Sequence, residues 1–95
     1  MTINKKLSKT FTIKNKLGLH ARAAASLVKL TNKFDADIKI LKDGTEADGK
    51  SILGILSFAA IKGTDITVVT EGDDAALAMS DIEQLIESGF GEGVD

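Results

Sequence analysis

Residues 17–34, LGLHARAAASLVKLTNKF, lead from a glycine-containing turn into a long helix-forming segment. The spacing of apolar residues predicts a helix over residues 21–33 with one apolar side. That side is formed by Ala24, Leu27, Val28, Leu30 and Thr31, with Phe34 just beyond them. The other side, predicted to face water, carries Arg22, Ser26, Lys29 and Lys33. The apolar side of such a helix needs a second layer of structure to cover it.

His20 and Arg22, the only histidine and the only arginine of the chain, fall at the predicted start of this helix. A helix N-terminus attracts anions because its first N–H groups lack partners within the helix and the macrodipole adds partial positive charge. A histidine there can present a ring nitrogen as a nucleophile while N–H groups and a guanidinium hold phosphoryl oxygens. The plain alternatives are an incidental histidine and a solvated arginine.

Strands are predicted on both sides of this helix. Residues 1–8 are polar and are predicted to form a loose arm, and the alternating residues 9–14 form the first strand. Residues 36–41 form a second strand, and Asp43-Gly44 is a strong tight-turn signal, so residues 45–48 are predicted to return as its hairpin partner. The side chains predicted to point inward are Phe11, Ile13, Ala36, Ile38 and Ile40.

The second half of the chain predicts two more helices and a strand. Ser51 opens a short helix that ends before Gly63, and residues 65–70, DITVVT, form a fourth strand. The last helix ends at Gly89, and residues 90–95 are predicted to be a frayed tail. The residues predicted to be buried are Ile52, Ile55, Leu56 and Ala59 in the short helix, and Ala75, Ala78, Met79, Ile82, Leu85 and Ile86 in the last.

The resulting element order, β-α-β-β-α-β-α, predicts an α+β domain in which a four-stranded antiparallel sheet carries three helices on one face. At 95 residues the chain is long enough for one modest core, so residues 1–95 are predicted to form a single domain. The chain has no cysteine and no apolar run of the roughly 18 residues that a membrane span needs. No secretory signal is recognisable either, and a cytoplasmic protein without membrane association is expected.

The charges are unevenly distributed along the chain. The formal net charge is −2, which argues against a general nucleic-acid-binding protein. Residues before 35 include only basic charges, whereas those after 62 include only acidic ones. One interpretation is an ordinary solvated surface whose uneven charge has no functional role. The other, which we favour, is a positive surface around His20 that steers acidic protein partners toward it.

The motif LGLHAR resembles the active-site stretch of the HPr family, the histidine-containing phosphocarriers of the bacterial phosphotransferase system. Residues 49–68, GKSILGILSFAAIKGTDITV, resemble the second signature region of that family, around its regulatory serine. The resemblance extends from about Phe11 to about Ile86, and it implies the HPr-like open-faced β-sandwich. It also implies a carrier that needs no cofactor or metal, and the chain offers no second histidine and no cysteine for a transition-metal site.

The resemblance implies specific roles around the histidine. His20 is expected to accept the phosphoryl group on Nδ1, and Arg22 is expected to stabilise phosphate through its forked donors. The backbone N–H groups of Ala21, Arg22 and Ala23 are expected to help bind phosphate. Ala23 departs from the family, which usually has proline there, and we expect a less preorganised site that gains one N–H.

Ser51 and the residues near it each allow a structural and a functional interpretation. Ser51 is a plausible N-cap, and the resemblance also makes it a candidate for regulatory phosphorylation by a dedicated kinase. Ile52, Leu53 and Gly54 correspond to a docking patch for partners, although exposed apolar residues are ordinary and glycine also fits a tight helix crossing. Lys29 is assigned to the same partner surface, with solubility as its plain alternative.

The resemblance predicts a phosphocarrier, not an enzyme, that accepts a phosphoenolpyruvate-derived phosphoryl group from enzyme I and gives it to enzyme IIA-type acceptors. A close variant would serve a nitrogen-related regulatory branch. The alternative class is a partner-binding module, in which a Ser51-phosphorylated form, made by a serine kinase and reversed by a phosphorylase, binds a transcription regulator. In either case a monomer that meets its partners transiently is expected.

Overall fold

The computed structural model describes residues 5–92 of the chain. The element order confirms the predicted β-α-β-β-α-β-α succession. The elements are β1 (Lys6–Thr12), α1 (Ala21–Thr31), β2 (Asp37–Lys42), β3 (Thr45–Asp48), α2 (Ile52–Leu56), β4 (Asp65–Glu71) and α3 (Ala75–Glu87). None of the helices within residues 5–92 is long and apolar enough to cross a membrane.

The four strands form one antiparallel sheet in the order β1-β4-β2-β3. The register pairs Phe11 with Ile66 and Ile40 with Val68, so apolar side chains of neighbouring strands meet on one face. The hairpin between β2 and β3 turns at Asp43 (φ 50°) and Gly44 (φ 81°), which confirms the tight turn predicted from these two residues.

All three helices contribute buried side chains to a core on one face of this sheet. Helix α1 packs against α2 and α3, and α3 also packs against β1 and β4. The predicted apolar sides of α1 and α3 are confirmed, with Leu30 and Leu85 partly buried at their borders. The fully buried large side chains of the core include Ile13, Leu27, Ile40, Ile55, Ile66, Val68, Ile82 and Ile86. The fold is therefore the open-faced sandwich predicted from the sequence.

The first strand begins earlier than predicted. Residues 6–8, assigned to a loose arm, belong to β1, where Lys6 pairs with Glu71 and Leu7 with Thr70. A single apolar residue, Leu7, gives no strand signal among these polar neighbours, yet backbone pairing needs no apolar side chain, and β4 is long enough to offer them partners. The rest of the predicted arm includes residues 1–4, which lie outside the described residues.

Helix α2 is shorter than predicted and buries different residues. It ends at Leu56, and Ile52 and Ala59, both predicted to be buried, are exposed. Phe58 and Ala60 are buried instead, on either side of Ala59, which adopts a φ of 49°. The left-handed backbone of Ala59 prevents the helix from continuing, and residues 58–61 form an irregular segment in which the Ala60 carbonyl accepts from the Leu19 N–H of the turn before His20.

The uneven charge distribution is partly balanced by contacts between β1 and α3. Lys9 Nζ lies 2.7 Å from a carboxylate oxygen of Glu83, and Lys14 pairs with Glu87 in the same way. These surface pairs join the basic first part of the chain to its acidic last helix. The basic residues left exposed near the start and solvent side of α1 include Lys16, Arg22, Lys29 and Lys33.

Candidate functional site

His20 is the N-cap of α1, which confirms its predicted position at a helix start. Its backbone is extended (φ −79°, ψ 179°), and its Nδ1 accepts a hydrogen bond from the backbone nitrogen of Arg22 at 3.3 Å. The side chain is 27% exposed, so the ring is accessible from solvent while one nitrogen faces the helix end. Any anion that approaches Nδ1 meets the positive end of the α1 dipole.

The turn before His20 is fixed by its contacts with residues 60 and 61. Gly18 has a φ of 68°, and a Cβ added there would lie only 2.4 Å from the Ala60 carbonyl oxygen. The Leu19 N–H donates to that same oxygen at 2.8 Å, and the Leu19 side chain is buried. Glycine is therefore required at position 18 for both conformation and space, and the turn positions His20 rigidly.

The other ring nitrogen of His20 meets a residue that sequence reasoning missed. Nε2 lies 2.5 Å from Oε2 of Glu92, and the second carboxylate oxygen accepts from Asn15 Nδ2 at 2.9 Å. The hydrogen bond from Asn15 lowers the pKa of the Glu92 carboxyl, and the nearby His20 and Arg22 lower it further, although partial burial opposes them. Glu92 is thus held as a carboxylate at neutral pH.

The position of Glu92 corrects the prediction of a frayed tail over residues 90–95. Phe90 is buried in the core, and its N–H donates to the Leu85 carbonyl at 2.8 Å. Glycines on both sides of Phe90 hid this anchor in the sequence, because glycine-rich tails are usually disordered. A buried aromatic residue flanked by glycines was the signal that could have revealed it. Residues 93–95 of the predicted tail lie outside the described residues.

The remaining residues assigned to phosphate binding surround the start of α1. Ala21, Arg22 and Ala23 are its first three residues, the positions at which backbone N–H groups have no partner within the helix. Arg22 is exposed, whereas the side chain of Ala23 is fully buried. The structure thus brings His20, Arg22 and three helix-start N–H groups to one place. Their roles in phosphate binding stay predictions.

Ser51 and the predicted partner residues lie on the neighbouring helix. Ser51 is the N-cap of α2, and its Oγ accepts from the Gly54 N–H at 3.0 Å, which confirms the predicted cap. Ile52 and Leu53 are 40% and 81% exposed, so both are available on the surface. Lys29 is exposed near the end of α1. Two further apolar side chains, Leu17 and Ile61, are also exposed beside the His20 turn and were not predicted.

The described residues contain no cluster suited to a metal ion. Among residues 5–92, no group of three or more histidine, cysteine, aspartate or glutamate side chains could hold one. The groups that meet at the start of α1 are an imidazole, a guanidinium, a carboxylate and backbone N–H groups.

Comparison with known proteins places the chain in a family. The family model for the PTS HPr component phosphorylation site matches residues 7–88. The chain is 44% identical over 87 residues to the phosphocarrier protein HPr of Cupriavidus necator, covering 92% of this chain and 98% of that protein. It is 42% identical over 87 residues to the phosphocarrier protein NPr of Shewanella violacea, covering 92% of this chain and 96% of that protein.

A solved structure gives the same result. HPr from Thermoanaerobacter tengcongensis matches with a TM-score of 0.89 and 42% identity, covering 93% of this chain and 99% of that chain. The likeness therefore extends over sequence and fold together, and it includes the segment around His20. This chain belongs to the HPr family of phosphocarrier proteins.

Proposed function

We propose that this protein is a phosphocarrier of the phosphotransferase system that accepts a phosphoryl group on Nδ1 of His20. The donor is an enzyme I-type protein charged by phosphoenolpyruvate, and the acceptors are enzyme IIA-type domains. The observation that carries the proposal is the position of Nδ1 at the N-terminus of α1, beside the backbone nitrogen of Arg22. The family relationship to named phosphocarriers supports the same function.

The transfer follows from the geometry of the ring. The Nδ1 lone pair attacks phosphorus in line with the donor's leaving atom, so a P–N bond forms as the bond from phosphorus to that atom breaks. The phosphoryl oxygens then occupy the space in front of the N–H groups of residues 21–23, which have no helical partner to give up. Transfer to the acceptor reverses these steps, and the protein returns unchanged as a carrier.

Arg22 supplies the second positive group. Its side chain is exposed at the second position of α1, from which the guanidinium can fold over a phosphoryl group on His20. Its planar fork can donate two parallel hydrogen bonds to phosphate oxygens, which a lysine ammonium cannot do. The positive charge of Arg22 also helps to lower the pKa of the Glu92 carboxyl.

The partner surface, in this proposal, combines exposed apolar and basic residues around the site. Ile52 and Leu53 offer apolar contact area, and Lys29 adds positive charge on the neighbouring helix. Gly54 is assigned to this surface by its place beside Leu53, while a Cβ at Gly54 would lie 3.3 Å from Ser51 Oγ, so its lack of a side chain also serves packing within the fold. Such a surface suits brief contact between a monomer and acidic partners, because basic residues speed the encounter while a small apolar patch limits its lifetime. Enzyme I-type and enzyme IIA-type proteins would use it in turn.

Ser51 is proposed as the regulatory position. Its hydroxyl caps α2 directly before Ile52 and Leu53, so a phosphoryl group there would place negative charge at the edge of the partner surface. The helix itself would tolerate the charge at its N-terminus, whereas an acidic partner would be repelled. A serine kinase and a phosphorylase would set this state, and a transcription regulator could read it.

The test is a reconstituted relay with purified enzyme I, phosphoenolpyruvate and an enzyme IIA-type domain. The unaltered chain should deliver phosphate to the acceptor, and the His20→Ala chain should deliver none. If the unaltered chain delivered no phosphate to the acceptor but still bound a transcription regulator, the partner-binding module would be favoured instead. Because the NPr relative is nearly as similar as the HPr relative, sugar-branch and nitrogen-branch partners should be compared side by side.

A further inference from the structure

The segment after α3 brings a carboxylate back to the histidine. Gly89, Phe90 and Gly91 all have positive φ angles, of 68°, 57° and 79°, which turn the chain sharply away from the helix axis. The Phe90 side chain is buried, and the Glu92 N–H donates to the Gly89 carbonyl at 2.9 Å. Glu92 therefore reaches His20 from a segment that is anchored in the core.

Asn15 holds the same carboxylate from the other side. Its side chain is fully buried, and its Nδ2 donates both to Glu92 Oε1 and to the Gly18 carbonyl, at 2.9 and 2.8 Å. Its Oδ1 is buried without a hydrogen-bond partner among the described residues, an arrangement that is uncommon in folded proteins. Asn15 is thus fixed between the His20 turn and Glu92, and it orients the carboxylate toward the ring.

The two contacts of the imidazole select one tautomer. A carboxylate can only accept, so the short contact at Nε2 requires the ring proton to lie there. Nδ1 accepts from the Arg22 N–H, so it must carry the lone pair. Both neighbours favour the form of the ring in which Nδ1 is the nucleophile.

The same carboxylate faces the charge that develops during transfer. When Nδ1 forms a bond to phosphorus, Nε2 keeps its proton and the ring gains positive charge, with no proton released. Glu92 lies 2.5 Å from Nε2, on the far side of the ring from the incoming phosphoryl group. It can therefore stabilise the cationic ring without lying against the phosphoryl oxygens.

We propose that Glu92 is a positioning residue for phosphoryl transfer, which holds the His20 ring with its proton on Nε2 and stabilises the ring as Nδ1 takes the phosphoryl group. The inference rests on the proposed function of His20. It assigns the carboxyl-terminal segment a direct part in the reaction, through Asn15, Glu92 and the imidazole. The arrangement parallels metal sites, in which a carboxylate fixes the tautomer of a ligating histidine.

The test compares three variants by two independent measurements. Glu92→Ala removes the acceptor, Glu92→Gln keeps an accepting oxygen without its charge, and Glu87→Ala is the matched control, since Glu87 pairs with Lys14 and not with His20. The ¹⁵N chemical shifts of the His20 ring, recorded at a series of pH values, report which ring nitrogen carries the proton. The rate of phosphoryl uptake from charged enzyme I reports transfer.

Glu92→Ala should shift the His20 ring signals toward mixed tautomers and slow uptake on the order of tenfold, the usual size of such outer-shell effects. Glu92→Gln should keep the tautomer and recover part of the rate, and Glu87→Ala should match the unaltered chain. Unchanged ring shifts, or an unchanged rate, in Glu92→Ala would overturn the proposal. If the unaltered chain took up no phosphate, the proposed function would fail, while the ring spectra would still decide whether Glu92 sets the tautomer.

Discussion

Nδ1 of His20 accepts a hydrogen bond from the backbone nitrogen of Arg22 at 3.3 Å, so the reactive residue also caps its own helix. The lone pair that caps α1 is the one that would attack phosphorus. Phosphorylation on Nδ1 would therefore replace the nitrogen acceptor with phosphoryl oxygens, which are stronger acceptors for the same N–H groups. In the proposed reaction the protein would exchange one helix cap for another, and we expect no rearrangement of α1.

This double role predicts that two His20 variants differ in stability but not in activity. His20→Ala removes the cap and should lower the free energy of unfolding by at most about 1 kcal/mol. Asparagine is a preferred N-cap, so His20→Asn should recover most of that loss. Neither variant should accept phosphate. Urea denaturation with the transfer assay would check both statements, and equal stabilities for the two variants would contradict the capping role.

Arg22→Lys should reduce phosphoryl transfer even though the charge is conserved. A lysine ammonium cannot make the paired, planar contact with two phosphoryl oxygens, so we expect a loss of roughly tenfold, about 1.4 kcal/mol in the barrier. Lys33→Arg, at an exposed lysine beyond the last residue of α1, is the control for an exchange between lysine and arginine away from the site. Rapid-quench kinetics with charged enzyme I would measure both. Transfer by Arg22→Lys at the unaltered rate would show that only charge matters.

The turn before His20 should be more sensitive to substitution than an open turn with a similar backbone. Gly18 and Gly63 both have positive φ, but a Cβ at residue 63 meets nothing within 4 Å, whereas one at Gly18 meets the Ala60 backbone. Gly63→Ala should cost about 1 kcal/mol through backbone strain alone. Gly18→Ala should cost clearly more and should also slow transfer. Similar unfolding free energies for the two variants would refute the close-approach argument.

Ser51 variants should separate the cap from the regulatory charge. Ser51→Ala loses the acceptor for the Gly54 N–H and should destabilise the protein by about 1 kcal/mol. Ser51→Asp keeps an N-cap acceptor but adds charge beside the partner surface, so it should stay stable while its transfer from enzyme I slows. Asp48→Asn changes the charge at a residue close in sequence to Ser51, and it is the control for a general effect of surface charge on transfer. If Ser51→Asp transferred at the unaltered rate, the regulatory proposal would lose its physical basis.

The lowered pKa of Glu92 predicts an acid-dependent part of the stability. A carboxyl whose pKa is lower in the folded state stabilises that state above its unfolded pKa, and the contribution disappears as pH falls through the folded value. The stability difference between the unaltered chain and Glu92→Gln should therefore be present at neutral pH and shrink on acidification. Denaturation midpoints over an acid pH series would show it. A difference that grew toward low pH would have the wrong sign.

The elements of this fold were predictable where apolar spacing was regular. The apolar sides of α1 and α3, the inward residues of β2 and the turn at Asp43-Gly44 all follow from local periodicity and backbone preference. The N-terminal half of β1 was not predictable from local sequence, because residues 6–8 are held by pairing with β4 and only Leu7 adds apolar contact. Such pairing depends on residues some 60 positions away in the sequence, which no local pattern reveals.

The same limit explains which site residues were found. His20, Arg22 and the Ser51 cap lie at helix starts, where local sequence is informative. The contacts that link distant segments were missed. Lys50 Nζ donates to the Phe34 carbonyl at 2.8 Å, and the side chain of Asp74, the N-cap residue of α3, accepts from the Ala36 N–H at 2.8 Å.

Glu92 belongs to this second group. It lies 72 positions from His20 and is brought to it by the buried Phe90 and by the hydrogen bond from Asn15. Nothing in the sequence around His20 indicates a carboxylate partner, and nothing around Glu92 indicates a histidine. Only the packed fold shows that the last described residue meets the start of α1 at the site.

The most direct test of the account is whether His20 carries a phosphoryl group on Nδ1. The protein would be incubated with phosphoenolpyruvate and a cognate enzyme I, then analysed by intact mass before and after brief acid treatment, with ring-nitrogen NMR to locate the bond. We expect one acid-labile phosphoryl group on Nδ1 that is absent from His20→Ala and His20→Asn. No uptake with an active enzyme I, uptake by the His20 variants, or a bond at Nε2 would contradict it.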